Sequence, residues 1–205
     1  MRIEKLFREM GFKSSLPKCF VTAATLMIST VVALGVPKDG FPEPIVLDGL
    51  TLVLNGTATR SFFGIGVYDT GLYVSHTTAD GVEIMERNHG PKRLKIIMLR
   101  SVSEAEFASA VRDNLDKNLT PSEQAVFAEA LTVFFKSFEN GADLNRGSEV
   151  TIDYLPSQGT VVMVDGTRQA VIPGRDFYHA ILRLWIGKPL QSSIKTGLLG
   201  AGSRR

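Results

Sequence analysis

Arg60 is the side chain whose type and setting most invite a chemical question. It lies in the run Leu54-Asn55-Gly56-Thr57-Ala58-Thr59-Arg60-Ser61-Phe62-Phe63, at the start of a stretch dense in apolar residues. Two readings fit. The arginine can be a solvated edge residue whose stem covers apolar surface while its head stays wet. Alternatively its planar fork faces a hydrophobic cavity and binds an anionic head group. Asn114 raises a similar question. It lies two helical turns after Phe107 and shares a face with Phe107 and Val111. An amide on an apolar stripe must be hydrogen-bonded or it costs about 1–3 kcal/mol, so it serves either a ligand or the local backbone.

The remaining polar residues form no constellation. His76, His89 and His179 are far apart and lack the spacing of a zinc site. His179 shares a predicted helix with Trp185 and reads as a surface or cap histidine, not a haem ligand. No GxSxG, Walker or GxGxxG motif occurs, and Gly64-Ile65-Gly66 has neither a third glycine nor an opening helix. Order alone cannot pick out a carboxylate pair of the glycosidase kind. No cofactor and no metal is expected.

The elements that would position these residues are readable. Ile45–Leu47, Leu50–Leu54, Thr59–Tyr68 and Lys92–Leu99 read as strands, with hairpin signals at Asp48-Gly49 and Asn55-Gly56. Ser103/Glu106 and Thr120/Glu123 have capping-box spacing, the second with Pro121 at the first helical position. The helix after Thr120 aligns Phe127, Leu131, Phe134, Phe135 and Phe138, a stripe that reads as core. Strands return at Glu149–Tyr154, Thr160–Val164 and Gln169–Ile172. A helix from Pro173 to Ile186 and a short one after Ser192 follow. Strands, then helices, then strands and helices imply an α+β, mostly antiparallel fold.

The 205 residues are 44% hydrophobic and 21% charged, which excludes a disordered or multi-span membrane chain. Residues 1–35 carry five basic groups against two acidic ones. Taken from whole-chain totals of 23 and 21, this leaves 18 against 19 and a net charge of −1. A near-neutral body lacks the basic footprint of a nucleic-acid binder. Basic residues through position 18 precede the uncharged run Phe20–Leu34, about 22 Å long as a helix and short of a typical span. That is the layout of a signal peptide over 1–35, with cleavage near 33–36; an uncleaved N-terminal anchor is the alternative. The expected organisation is therefore a signal, a linker over 36–44, a domain over 45–200 and a flexible tail over 201–205. The mature chain would be exported, to the periplasm, with no integral span. The single cysteine, Cys19, falls within the signal, so neither a disulfide nor a thiol nucleophile is expected in the domain.

From Ile45 to Gly200 the chain resembles the chalcone isomerase fold in its exported, bacterial chalcone-isomerase-like branch. The resemblance rests on Leu54-Asn55-Gly56 leading to Arg60, Gly66-Val67-Tyr68 with Gly71-Leu72-Tyr73-Val74, and Ile172-Pro173-Gly174 with Asp176-Phe177. It extends to Leu182-Arg183-Leu184-Trp185-Ile186-Gly187-Lys188-Pro189. It implies a long antiparallel sheet with a helical layer on one side and a ligand cleft between them. In the plant enzymes an arginine binds the substrate phenolate, while a tyrosine and a threonine order water at the developing enolate. By motif the arginine is Arg60 and the helix asparagine Asn114. The tyrosine position falls on Phe107 and the threonine on Phe63, so both hydroxyls are missing; Ser192 or Ser193 loosely matches a further polar position. Polar groups aimed at developing charge are each worth a few kcal/mol of barrier lowering. The family also contains non-catalytic members that hold fatty acids, with the arginine on the carboxylate. The expectation is thus a binding protein for an amphipathic carboxylate such as a fatty acid, with Arg60, Phe63, Phe107, Val111 and Asn114 at the site. The alternative is an intramolecular lyase (isomerase) of low efficiency that uses Arg60 and Asn114.

Overall fold

The computed structural model describes residues 40–87, 90–138 and 144–200. The expected signal peptide, the tail and His89 lie outside them. Seven strands pair in chain order, each antiparallel to the one before: β1 (Ile45–Leu47), β2 (Leu50–Phe62), β3 (Ile65–Val74), β4 (Lys92–Met98), β5 (Glu149–Leu155), β6 (Gly159–Val164) and β7 (Thr167–Ile172). A π-helical turn, Glu83–Arg87, joins β3 to β4. Helices α1 (Glu104–Asn118), α2 (Pro121–Val126) and α3 (Ala128–Lys136) lie between β4 and β5, and α4 (Arg175–Ile186) and α5 (Ser192–Leu198) follow β7.

Strand alternation sorts the side chains onto two faces. In β4, Leu94, Ile96 and Met98 join the main core beneath the helices, together with Val150, Ile152 and Tyr154 of β5. Arg93 and Asp153 point the other way. They form a two-pronged pair, with Nε donating to Oδ1 at 2.7 Å and the second prong to Oδ2 at 2.6 Å. That face holds a smaller core of Phe41, Leu47, Leu52, Tyr73, Leu155 and Val161. Residues 36–44 were expected to be a linker. From Gly40 onward they are instead part of the fold, because Phe41 is 1% exposed and its ring packs where a Cβ on Gly71 would stand.

Both capping boxes form: Ser103 and Thr120 accept from the backbones of Glu106 and Glu123, whose carboxylates bond back. The helix expected after Thr120 breaks in two at Phe127, whose φ of −97° and ψ of 12° separate α2 from α3. Helix α4 is the centre of the helical layer, with eight buried side chains from Phe177 to Ile186. It ends at Gly187, where a Cβ would stand 2.5 Å from the Arg183 carbonyl oxygen and 2.7 Å from the Asn118 side chain.

The first hairpin is as expected, at Asp48-Gly49, but the second is not. Asn55-Gly56 is a register shift inside β2, which runs unbroken to Phe62. The Asn55 amide donates to the Leu198 carbonyl of α5 at 2.7 Å and accepts from the Thr78 N–H. The reversal falls at Phe63-Gly64, both with positive φ (49° and 80°), as a two-residue hairpin turn requires. No helix among the described residues is long and apolar enough to cross a membrane.

Candidate functional site

Two arms of the fold converge on one cavity. β2, β3 and β4 supply the sheet wall, and α1 and the end of α4 supply the helical wall. The cavity is about 220 Å³. Its helical wall contains Phe107, Ala110, Val111 and Asn114 of α1, at the spacing that puts them on one face, with Leu184 and Trp185 of α4. Its sheet wall contains Arg60 and Phe62 of β2, Val67 and Tyr68 of β3 and Met98 of β4; Arg100, Val102, Glu106 and Leu190 complete it.

Four of the five expected site residues, Arg60, Phe107, Val111 and Asn114, thus lie on one cavity. Phe63 does not. It sits at the apex of the β2–β3 turn, 88% exposed, because the reversal one residue after Phe62 swings it out of the sheet. Phe62 lines the cavity in its place. Ser192 and Ser193 are not on the wall either; Ser193 accepts from the Gln191 amide.

The polar groups of the cavity divide by what already satisfies them. Asn114 is engaged at both ends: its amide donates to the Leu184 carbonyl at 2.8 Å, and its side-chain oxygen accepts from Asn118 at 3.1 Å. It ties α1 to α4. Glu106 is held by its capping box with Ser103, whose backbone and hydroxyl keep the carboxyl below the usual glutamate range. Arg100 donates to the Ser101 carbonyl. By contrast, among the described residues no carboxylate pairs with Arg60 and no acceptor reaches the Trp185 Nε1–H. Tyr68 stands directly opposite Arg60 across the β2–β3 ladder. Burial pushes its hydroxyl above the usual tyrosine range, against the pull of the Arg60 charge and the Trp185 indole, so at neutral pH it is a donor. The indole nevertheless falls short of hydrogen-bond geometry with it. The wall therefore presents a guanidinium and a phenol, both donors, to an otherwise largely apolar space, with the Trp185 indole N–H buried behind it.

Tyr68, Trp185 and Arg100 were not anticipated as site residues. Tyr68 and Trp185 belong to motifs visible in the sequence, but only strand register and helix placement bring them to Arg60. A broader surface groove of about 420 Å³ between α2 and α4 is a poorer candidate. Its cation, Arg183, is already paired with Glu123 at 2.9 Å.

The architecture is thus a curled antiparallel sheet covered by helices, with a largely apolar cavity between the layers. The chain belongs to the chalcone isomerase-like family, whose profile matches residues 35–200. Among solved structures it shares its fold with a fatty-acid binding protein of Arabidopsis thaliana. The two are 18% identical with a TM-score of 0.55, over 77% of this chain and 96% of the plant protein. No curated protein matches the chain by sequence.

Proposed function

We propose that this domain binds an amphipathic carboxylate, such as a fatty acid, without transforming it. The carboxylate would sit on the Arg60 fork, with the Tyr68 hydroxyl as a further donor, and the chain would lie among Phe107, Val111 and Met98. One observation carries this reading: Arg60, itself partly buried, lines a partly open, mostly apolar cavity and has no acidic partner among the described residues. An unpaired guanidinium beside apolar walls is costly unless an anion completes it. The fold shared with a fatty-acid binding protein supports the same reading.

Native mass spectrometry of the purified protein, followed by solvent extraction, tests it. A co-purifying carboxylate that is lost in Arg60→Ala is the expected result. A ligand retained at the same occupancy by that variant would overturn the proposal.

A second reading has one observation in its favour. The hydroxyls missing at Phe63 and Phe107 are partly replaced by Tyr68, which places a phenol beside Arg60. An intramolecular lyase would use that pair on a conjugated substrate. Loss of chalcone absorbance above the buffer rate would favour it, and a rate equal to buffer would sink it.

Export is proposed alongside, on the layout of residues 1–35. N-terminal sequencing of the protein recovered from a periplasmic fraction tests that placement; a cytoplasmic chain beginning at Met1 would refute it.

A further inference from the structure

The β2–β3 hairpin ends in a feature that folding alone does not explain. Phe62, Phe63 and Ile65 are 58%, 88% and 65% exposed, around the turn Phe63-Gly64. The first turn position has a φ of 49°, a region in which asparagine is at home and a bulky aromatic is an outlier. The strain buries nothing in the core. The Phe62 and Phe63 rings instead stack edge-on with centroids 4.5 Å apart, forming one apolar wedge in solvent.

The wedge carries no charge of its own, since residues 61–67 are Ser, Phe, Phe, Gly, Ile, Gly and Val. Three arginines lie on the segments that lead into or pair with its base. Arg60 precedes it on β2. Arg100 follows Leu99, whose N–H donates to Val67 of the hairpin. Arg146 is exposed in the loop whose Gly147 N–H donates to Met98. Glu106, on the same cavity wall as Arg60 and Arg100, is already held in the α1 capping box, and Asp69, beside Arg60's register partner, accepts from the Thr59 hydroxyl. The wedge is also continuous with the cavity, because Phe62 lines it.

We propose that this hairpin docks on an anionic bilayer surface, with Phe62, Phe63 and Ile65 in the headgroup–acyl boundary and Arg100 and Arg146 against lipid phosphates, while Arg60 stays turned to the cavity. Apolar insertion and basic attraction are the two signals that together hold a peripheral protein at a membrane. Docking in this pose sets the cavity mouth at the depth where an amphipathic carboxylate lies in a leaflet. The inference stands on the hairpin, and its test is separate from that of the ligand.

The test uses the full chain carrying Cys19→Ser and Ile65→Cys, labelled at position 65 with the environment-sensitive dye NBD. This reads the wedge locally, whatever residues 1–35 do. Vesicles of phosphatidylcholine with phosphatidylglycerol should shift the emission to the blue. Phosphatidylcholine alone, or added salt, should weaken the shift. Adding Phe63→Asn suits the turn and leaves the cavity wall intact, yet should raise the lipid concentration needed about tenfold, with co-purified ligand unchanged in native mass spectrometry. The proposal is overturned by no shift with anionic vesicles, or by an equal response in Phe63→Asn. A protein-concentration-dependent shift without lipid would overturn it in favour of a second copy of the chain.

Discussion

Arg60 and Tyr68 are register partners on adjacent antiparallel strands, and both side chains line the same cavity. A cation and a protonated phenol are thereby fixed side by side by the sheet, not by flexible loops. Their contributions to binding should differ. A charge-assisted hydrogen bond is worth about 1.5–3 kcal/mol and a neutral one about 0.5–1.5. In calorimetric titrations with saturated acids from hexanoate to palmitate, Arg60→Ala should weaken binding about 10- to 100-fold. Tyr68→Phe should weaken it only about 3- to 10-fold.

Asn114 should behave as a tie between helices and not as a ligand residue. Its amide meets the Leu184 carbonyl, and its own oxygen is taken by Asn118. Asn114→Ala leaves a buried carbonyl unmatched and should cost about 1–3 kcal/mol in urea unfolding. Carboxylate affinity should change by less than about threefold.

Gly56 marks the closest backbone approach between β2 and α5. A Cβ there would stand 2.1 Å from the Gly197 carbonyl oxygen, which is backbone and cannot swing aside. Gly56→Ala should therefore destabilise by at least the 1–3 kcal/mol usual for overpacking. A thermal melt beside wild type measures it.

Lys92 makes stability depend on pH. It is fully buried, with Nζ donating to the Gly90 carbonyl at 3.1 Å and lying 5.0 Å from the Tyr154 ring centroid. Burial first, and the charge of Arg175 second, lower its pKa from 10.5 to about 8. Below about pH 8 the folded state bears a buried ammonium. Between about 8 and 10.5 the folded amine is neutral while the unfolded chain still holds the proton, so stability rises with pH. Urea unfolding at about pH 7.5 and 9.5 should show a gain of roughly 1–2 kcal/mol that is absent in Lys92→Met.

Much of this was legible from local chemistry. The capping boxes at Ser103 and Thr120 and the turn at Asp48-Gly49 depend on residues a few positions apart, and they form where the spacing puts them. The face shared by Phe107, Val111 and Asn114 follows from helical periodicity in the same way. What was missed depends on partners distant in the chain. Asn55-Gly56 has the chemistry of a hairpin turn, but α5, 143 residues away, takes the asparagine amide. Phe63-Gly64 has no turn asparagine or aspartate, so the true reversal was hidden, and Phe63 was placed in a cleft it points away from. Tyr68 and Trp185 join the site through strand register and helix docking, which no single stretch of sequence encodes.

The bond from Asn55 to Leu198 also ties the second strand of the sheet to the last helix. Because every strand pairs with its predecessor, the sheet can zip up sequentially from its N-terminal edge as the chain lengthens. The inner edge of β2 is the exception, since its bulge has no acceptor for the asparagine until the last helix arrives. A nascent or truncated chain ending before residue 192 would hold a complete sheet with an unlatched second strand. The bulge of β2 is therefore latched only in a chain that reaches residue 198.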